Sequence, residues 1–547
     1  MSTPDKNAAL QKWLALQKKK AAATNIPTKP SDAPTPLSHG QERLWLLQRL
    51  YPESPLYSYA HLYSFKGDIN IERILEDFQT VATRHQILKN NYRQAEEQVF
   101  QTLNEAHQIP LTSYDLREFS AKEKEQRQTQ IIQDFISQAF DLEQDVLLRL
   151  TAIKTSEEEQ LLVLAMHHIM GDRGSLQILN RELAQLYQGK PLEALSIQYA
   201  DYAYWQRQQS IKQEDLNYWK KQLAGELPIL NLPSNFPRSN STSFKGAMQS
   251  QKLNSRLSKK LKTLCHEQST TLFVLGLAAF KVLLHRYTGE RDILVGAPFS
   301  NRDKVSLEKL IGFFNETLVL RSNLSEDLTF VELVQQLKQT TLDAFAHKNV
   351  PFDTLVRELQ PKRQGTSNPL FQVMFVFNAN DQNLSFGEGI ELEQEMLDLG
   401  VSKFDLTLFF SDEGEQIKVN FEYSTDLFEA ESIERMLGHF EVLLNDIAAN
   451  PTQKISQLDL LTESEKQQIL VDWNSTTTPL PNVSSILQLF EQQSLDNPSQ
   501  SAVVFQNKQI TYQELHIQAN TIANFLKKQG VESNQLVGLL TKPSLEM

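Results

Sequence analysis

Apolar residues along the chain follow two spacings. The run LLVLAMH (161–167) is continuous and of strand length, so it reads as a buried strand. Behind it, Leu176, Leu179, Leu183 and Leu186 recur at helical spacing until Gly189 stops the helix. The stretch is therefore buried strand, tight loop, helix. VLLRLTAIKT, just upstream, predicts a neighbouring strand of the same buried sheet. Residues 36–54 predict a helix capped by Ser38, and 69–92 a second helix, with a strand between them. Residues 196–210, rich in aromatics, also read as helical, and 215–233 as a helix followed by a turn. From about 246 the pattern begins again, with helices at 254–268 and 270–288 and strands at 292–299 and 317–324. A helix at 329–348, three strands (PLFQVMFVFNA, KFDLTLFFS, IKVNFEYS) and an amphipathic helix at 432–450 complete it. Each half mixes helices and strands and can bury its own core, which predicts an α+β fold with two lobes of similar size.

Both ends differ from this body. Residues 7–23 predict a short helix with Leu10, Trp13 and Leu14 on one face, isolated by the four prolines of TNIPTKPSDAPTP. It reads either as a docking helix for a partner or as a tail packing on its own domain. After residue 450 a polar linker leads to a helix, a hairpin turned at Gln506–Lys508 and a helix opened by a Thr511–Glu514 capping box.

Composition narrows the function. A length of 547 residues suggests two to four domains. The net charge of −13 argues against nucleic acid or an anionic membrane as partner, and no apolar run approaches a membrane span. The single cysteine, Cys265, excludes an internal disulfide and suits a reducing cytoplasm.

The candidate chemistry lies in AMHHIMGDRGS. Two imidazoles, His167 and His168, close the strand, and Asp172, Gly174 and Ser175 lie at the start of the helix. Adjacent residues on a strand face opposite sides, so one histidine can be core and the other exposed. Asp172 or Ser175 can equally be a helix cap. The stretch makes a poor metal site, because the histidines diverge and no HExxH or cysteine set accompanies them, so no metal is expected.

These residues resemble the condensation domains of non-ribosomal peptide synthetases, which share the chloramphenicol acetyltransferase fold. LSHGQERLWLL, TRHQILKNNY, AMHHIMGDRGS, YADYAYWQ, ILVGAPFSNR with IGFFNETLVLR, HKNVPFDTLV and SNPLFQVMF match the family's motifs in order. The resemblance covers about 36–450. It implies two lobes in a V around a tunnel, divided as 36–210 and 211–450, preceded by 1–35. A linker at 451–481 and the truncated first part of an adenylation domain at 482–547 follow, without the phosphate loop and hence without expected adenylation activity. The implied reaction is amide formation. An acyl or peptidyl thioester on an upstream peptidyl carrier protein meets the α-amino group of an aminoacyl thioester on a downstream one. The chain itself binds no cofactor in this reading; the substrates ride on the carriers' 4′-phosphopantetheine. His168 would face the tunnel to accept a proton or position the amine, and His167 would orient or support it. Asp172 would pair with Arg302 to hold the loop closed. The helix beginning near Ser175 would turn its N–H groups to a developing oxyanion.

Three residues depart from the family pattern. Arg173 stands where glycine usually follows the aspartate, Glu316 where asparagine is expected, and Lys89 where arginine is common. Arg173, Ser175 and Glu316 are possible tunnel-lining residues: Arg173 could narrow the tunnel, bind a substrate carboxylate or point to solvent, and Glu316 could alter substrate preference or local proton affinity. Intact His167 and His168 argue against the cyclising relatives. No DFGWG-like motif supports a plant-type acyltransferase, and no additional motif supports epimerisation. Two alternatives stay open: a starter domain using acyl-CoA, and a non-catalytic recruiting module of the same fold.

Overall fold

The computed structural model describes residues 26–239, 243–324, 328–361, 368–379, 384–479 and 482–547, so the expected helix over 7–23 lies outside the described residues. The apolar run becomes β4 (Glu159–His167), in a sheet with β1 (Ser58–Lys66), β2 (Leu111–Asp115) and β3 (Leu148–Lys154). Every residue from Leu161 to His167 is buried, which is why the segment shows no alternation: both faces of the strand are covered. The second half of the chain supplies β5 (Gly246–Lys252), β6 (Asp292–Ser300), β7 (Asn315–Asn323), β8 (Val373–Asn378), β9 (Glu391–Met396), β10 (Leu406–Asp412) and β11 (Ile417–Ser424).

One of these, β9, crosses to the first sheet and pairs antiparallel with β1, Glu391 opposite Lys66 and Met396 opposite His61. The five-stranded sheet thus runs β9-β1-β4-β3-β2, antiparallel except where β2 lies parallel to β3. The six-stranded sheet runs β7-β6-β8-β10-β11-β5, with β8 parallel to both its neighbours. Its core is separate from that of the first sheet. Leu307, Leu310, Ile311, Phe313 and Phe314, although late in the sequence, pack into the first core.

Helices cover these sheets for local reasons. α1 (His39–Leu50) starts on a capping box in which Ser38 and Gln41 exchange side-chain and backbone hydrogen bonds of 3.1 Å. α2 (Ile71–Arg84) packs on α3 (Arg173–Tyr187), and the apolar stripes of both face inward. α4 (Tyr199–Arg207) carries the aromatic-rich segment. α5 (Leu272–Thr288) is apolar all round and buried from Val274 to His285, and it ends at Gly289 with φ 73°. Its one buried cation, Lys281, donates to the carbonyls of Ile293 (2.8 Å) and Leu320 (2.7 Å) on β6 and β7. Among the described residues no single helix is long and apolar enough to cross a membrane.

The chain divides into two compact units, Met1–Thr462 and Glu463–Met547. The second contains a helix at Ile486–Asp496, a hairpin of Ser501–Phe505 with Lys508–Thr511, and a helix at Tyr512–Lys528. Gln506 takes the left-handed conformation at the turn (φ 53°), and Thr511 and Glu514 form the capping box.

Candidate active site

The strand β4 ends at His167, and the chain turns through a short 3-10 segment, His168–Met170, before Asp172 caps α3. That geometry separates the two imidazoles. His167 is fully buried. Its Nδ1 accepts the Ile169 N–H (3.1 Å), so Nε2 carries the proton and faces Gln48 Oε1 at 3.3 Å. His168 lies on the wall of a cavity of about 660 Å³. Its Nδ1 lies 3.3 Å from the Gly171 carbonyl oxygen, which can only accept, so the proton sits on Nδ1 and Nε2 keeps its lone pair. Burial drives both rings down to about 3, helped at His168 by the Lys403 ammonium, and keeps them neutral at ordinary pH. The ring of Tyr59 packs on His168 at 4.7 Å between centroids, and the His168 backbone N–H donates to the Tyr57 carbonyl (2.7 Å).

The carboxylate of Asp172 does not line the cavity; it is fully buried and acts as a junction. It accepts the Ser175 N–H (2.9 Å) as N-cap of α3 and the Phe314 N–H (3.0 Å) from the other half of the chain. Arg302 meets it with both terminal nitrogens, Nη1 to Oδ2 and Nη2 to Oδ1, each at 2.8 Å. Ser175, expected as a possible lining residue, is instead fully buried at this junction, where its Oγ takes bonds from Arg302 Nη2 (2.7 Å) and the Gly312 N–H (3.0 Å). The guanidinium lies over the Phe314 ring, 4.3 Å from its centroid. Gly174 makes room for this arrangement, because a Cβ there would come within 2.7 Å of Arg302 Nη1. The helix begins at Arg173, and its own carboxylate cap, Asp172, takes the Ser175 N–H. That one N–H is therefore taken up by the cap.

The other motifs brace this junction. Tyr199 on α4 donates its hydroxyl proton to the Phe313 carbonyl (2.6 Å), and its oxygen pairs with the Ser38 hydroxyl (2.9 Å). Its ring fills the space where a Gly312 Cβ would sit, only 1.9 Å away. Gln41 Nε2 donates to the Ile169 carbonyl (3.0 Å), inside the histidine turn. His85 accepts the Ile311 N–H at Nδ1 (3.3 Å) and faces Glu182 through Nε2 (2.9 Å). Lys89 instead reaches the Glu105 carbonyl at the surface (3.3 Å).

The departures from the pattern fall on different sides of the cavity wall. Arg173 is half-buried and lines the cavity together with His168 and Gly174; the space remains open beside it. Asn315 and Thr317 also line the cavity, whereas Glu316, between them on β7, falls on the opposite side of the strand. Burial raises its carboxyl to about 7, against the opposing pull of Arg43. Several cavity residues went unnoticed in the sequence. Tyr59 and His61 share a face of β1, a period-2 signal that could have shown them, and burial also lowers His61 to about 3. Lys403 and Glu422 come from distant segments and carried no local signal.

Comparison with known proteins agrees with this geometry. Residues 32–470 match the family model of the Condensation domain, and 490–547 that of the AMP-binding enzyme. A linear gramicidin synthase polypeptide of Brevibacillus parabrevis is 40% identical over 94% of this chain and 10% of its own length. Bacitracin synthase 3 of Bacillus licheniformis is 34% identical over 93% of this chain and 8% of its own. The chain thus spans about a tenth of the length of the curated relatives it matches. A four-domain nonribosomal peptide synthetase bound to AMP and glycine superposes with TM-score 0.75 at 21% identity, over 94% of this chain and 40% of that one. The starter condensation domain of rhizomide synthetase, in complex with C8-CoA, superposes with TM-score 0.69 at 22% identity, over 78% of this chain and 98% of that one. The chain belongs to the condensation-domain family of non-ribosomal peptide synthetases, acyltransferases that form an amide bond between carrier-bound substrates, followed by a partial AMP-binding segment.

Proposed function

We propose that this cavity joins an acyl or peptidyl thioester from an upstream carrier protein to the α-amino group of an aminoacyl thioester on a downstream carrier, with His168 at the reacting centre. The observation that carries this reading is His168 itself: an imidazole on the cavity wall, neutral, with Nδ1 held to the Gly171 carbonyl. Its Nε2 accepts a hydrogen bond from the entering amine and aims the nitrogen lone pair at the thioester carbonyl. As the C–N bond forms and the C–S bond breaks, the amine proton leaves through this contact toward the departing thiolate. His167 does not reach substrate; buried beneath the turn, it supports it. Asp172 and Arg302 fix the turn against the second half of the chain. The substrates arrive on 4′-phosphopantetheine arms, in a reducing cytoplasmic compartment that suits the buried free thiol of Cys265.

Single-turnover condensation tests this. An acyl-loaded donor carrier is mixed with a panel of aminoacyl-loaded acceptor carriers, and the acceptor's intact mass is followed. The full chain adds the acyl mass to at least one acceptor, and His168→Ala loses at least about 10²-fold in rate, in the range of general acid–base contributions. Equal rates in both proteins would remove His168 from the chemistry. Carrier binding without any mass gain would make the chain a recruiting module.

A further inference from the structure

The neutral His168 leaves one proton unassigned. A free α-amino group has an ordinary pKa near 8, so at neutral pH the acceptor enters mostly as an ammonium without a lone pair. His168, which burial lowers to about 3, is a much weaker base than the amine and is poorly suited to take that proton. A stronger base in the same cavity would supply that step.

On the reading that this cavity is the condensation site, we propose that Glu422 is a further catalytic residue, receiving the acceptor's ammonium and taking its proton so that the free amine passes to His168. Among the described residues three carboxylates line the cavity: Glu308 and Asp398 are exposed, and Glu422 alone is half-buried. It sits on β11 between Thr407 of β10 and Met248 of β5, both of which line the cavity as well. It shares the cavity wall with His168, and Lys403 lies between the two in its electrostatic reach. The His168 N–H donates to the Tyr57 carbonyl (2.7 Å), Lys403 Nζ lies 5.0 Å from the centroid of the Tyr57 ring, and the Lys403 charge acts on both His168 and Glu422. The charged groups facing Glu422 are Lys403 and Asp398, both from the segment between β9 and β10; Arg43 on α1 faces Lys403 in turn.

This setting gives Glu422 the proton affinity the step requires. Burial raises it to about 7, with Lys403 pulling the other way. Transfer from an α-ammonium is then only about tenfold uphill. The N–H bond of the ammonium breaks and a Glu422 O–H bond forms. The free amine attacks, the C–N bond forms, the C–S bond breaks, and the leaving thiolate takes the amine's second proton. Glu422 returns the first to solvent.

The test is the single-turnover rate of the full chain against pH, with whichever aminoacyl carrier the unsubstituted chain turns over best. Glu422→Gln is expected to lose about tenfold or more at pH 6.5 and under about twofold at pH 9, where the acceptor enters as free amine. Lys403→Met should move the acid limb of the unsubstituted profile to higher pH, because Lys403 holds the Glu422 carboxyl down. For the smaller Glu422→Ala, added acetate should restore rate at pH 6.5 and do nothing for His168→Ala. An equal loss at every pH, no loss at pH 6.5, or no rescue by acetate would overturn the role of Glu422 while leaving His168 in place. No turnover of any carrier by the unsubstituted chain would overturn both.

Discussion

Asp172 has no contact with the cavity, yet it holds the site in place. Its carboxylate is fully buried and Arg302 is only 10% exposed, so neither charge can fall back on water if the other is removed. Breaking such a pair from one side costs about 3–5 kcal/mol, mostly as the penalty of the charge left behind. Arg302→Ala should therefore lower unfolding free energy in urea by about that amount, and adding Asp172→Asn should recover part of it, because the stranded charge is gone. Strict additivity of the two losses would show that the pair does not act as a unit. Glu316 behaves in the opposite sense. Its folded pKa, about 7, lies above the ordinary 4.5, so the native state holds an extra proton between those values and stability falls as pH rises through 7. Glu316→Gln removes that penalty. It should stabilise the chain by on the order of 3 kcal/mol at pH 8 and by little near pH 4.5, as measured by chemical denaturation at both pH values.

At the scale of elements, the sequence showed most helices and strands where the structure has them. LLVLAMH was legible because a strand covered on both faces loses its alternation, and α3 because its leucines keep helical spacing. Of the two candidate caps for α3, Asp172 and Ser175, the structure uses Asp172. The side of β7 on which Glu316 falls was missed, because a motif gives positions and not the register of a strand. What no local pattern carried was the interlocking. The crossing of β9 into the first sheet, and the packing of Gly312 under Tyr199, are tertiary facts between distant segments. Gly312 shows how tightly: a Cβ would come within 1.9 Å of the Tyr199 ring, which the hydrogen bond to the Phe313 carbonyl holds in place. Gly312→Ala should cost at least about 1–3 kcal/mol through overpacking, seen as a lower denaturation midpoint, and should lower the condensation rate by displacing the turn. Unchanged stability would mean that the ring moves freely.

In the first unit as a whole, its two main cores, the exchanged strand β9 and the Asp172–Arg302 pair hold His168 at the edge of a cavity. The histidine pair and its aspartate were legible in the sequence. The protonation state of His168 was not, because it follows from burial and from Lys403, more than two hundred residues away. The cavity's other polar groups were hidden for the same reason: Glu422 and Lys403 join His168 only through tertiary structure. The most direct measurement of the central claim is an NMR titration of the full chain labelled with ¹⁵N-histidine, with His168 assigned by comparison with His168→Gln. A bare Nε2 and a protonated Nδ1, unchanged from pH 8 down to about 4, are expected for a ring whose pKa is about 3. Titration near the ordinary 6.5, or a proton on Nε2 at neutral pH, would contradict the account.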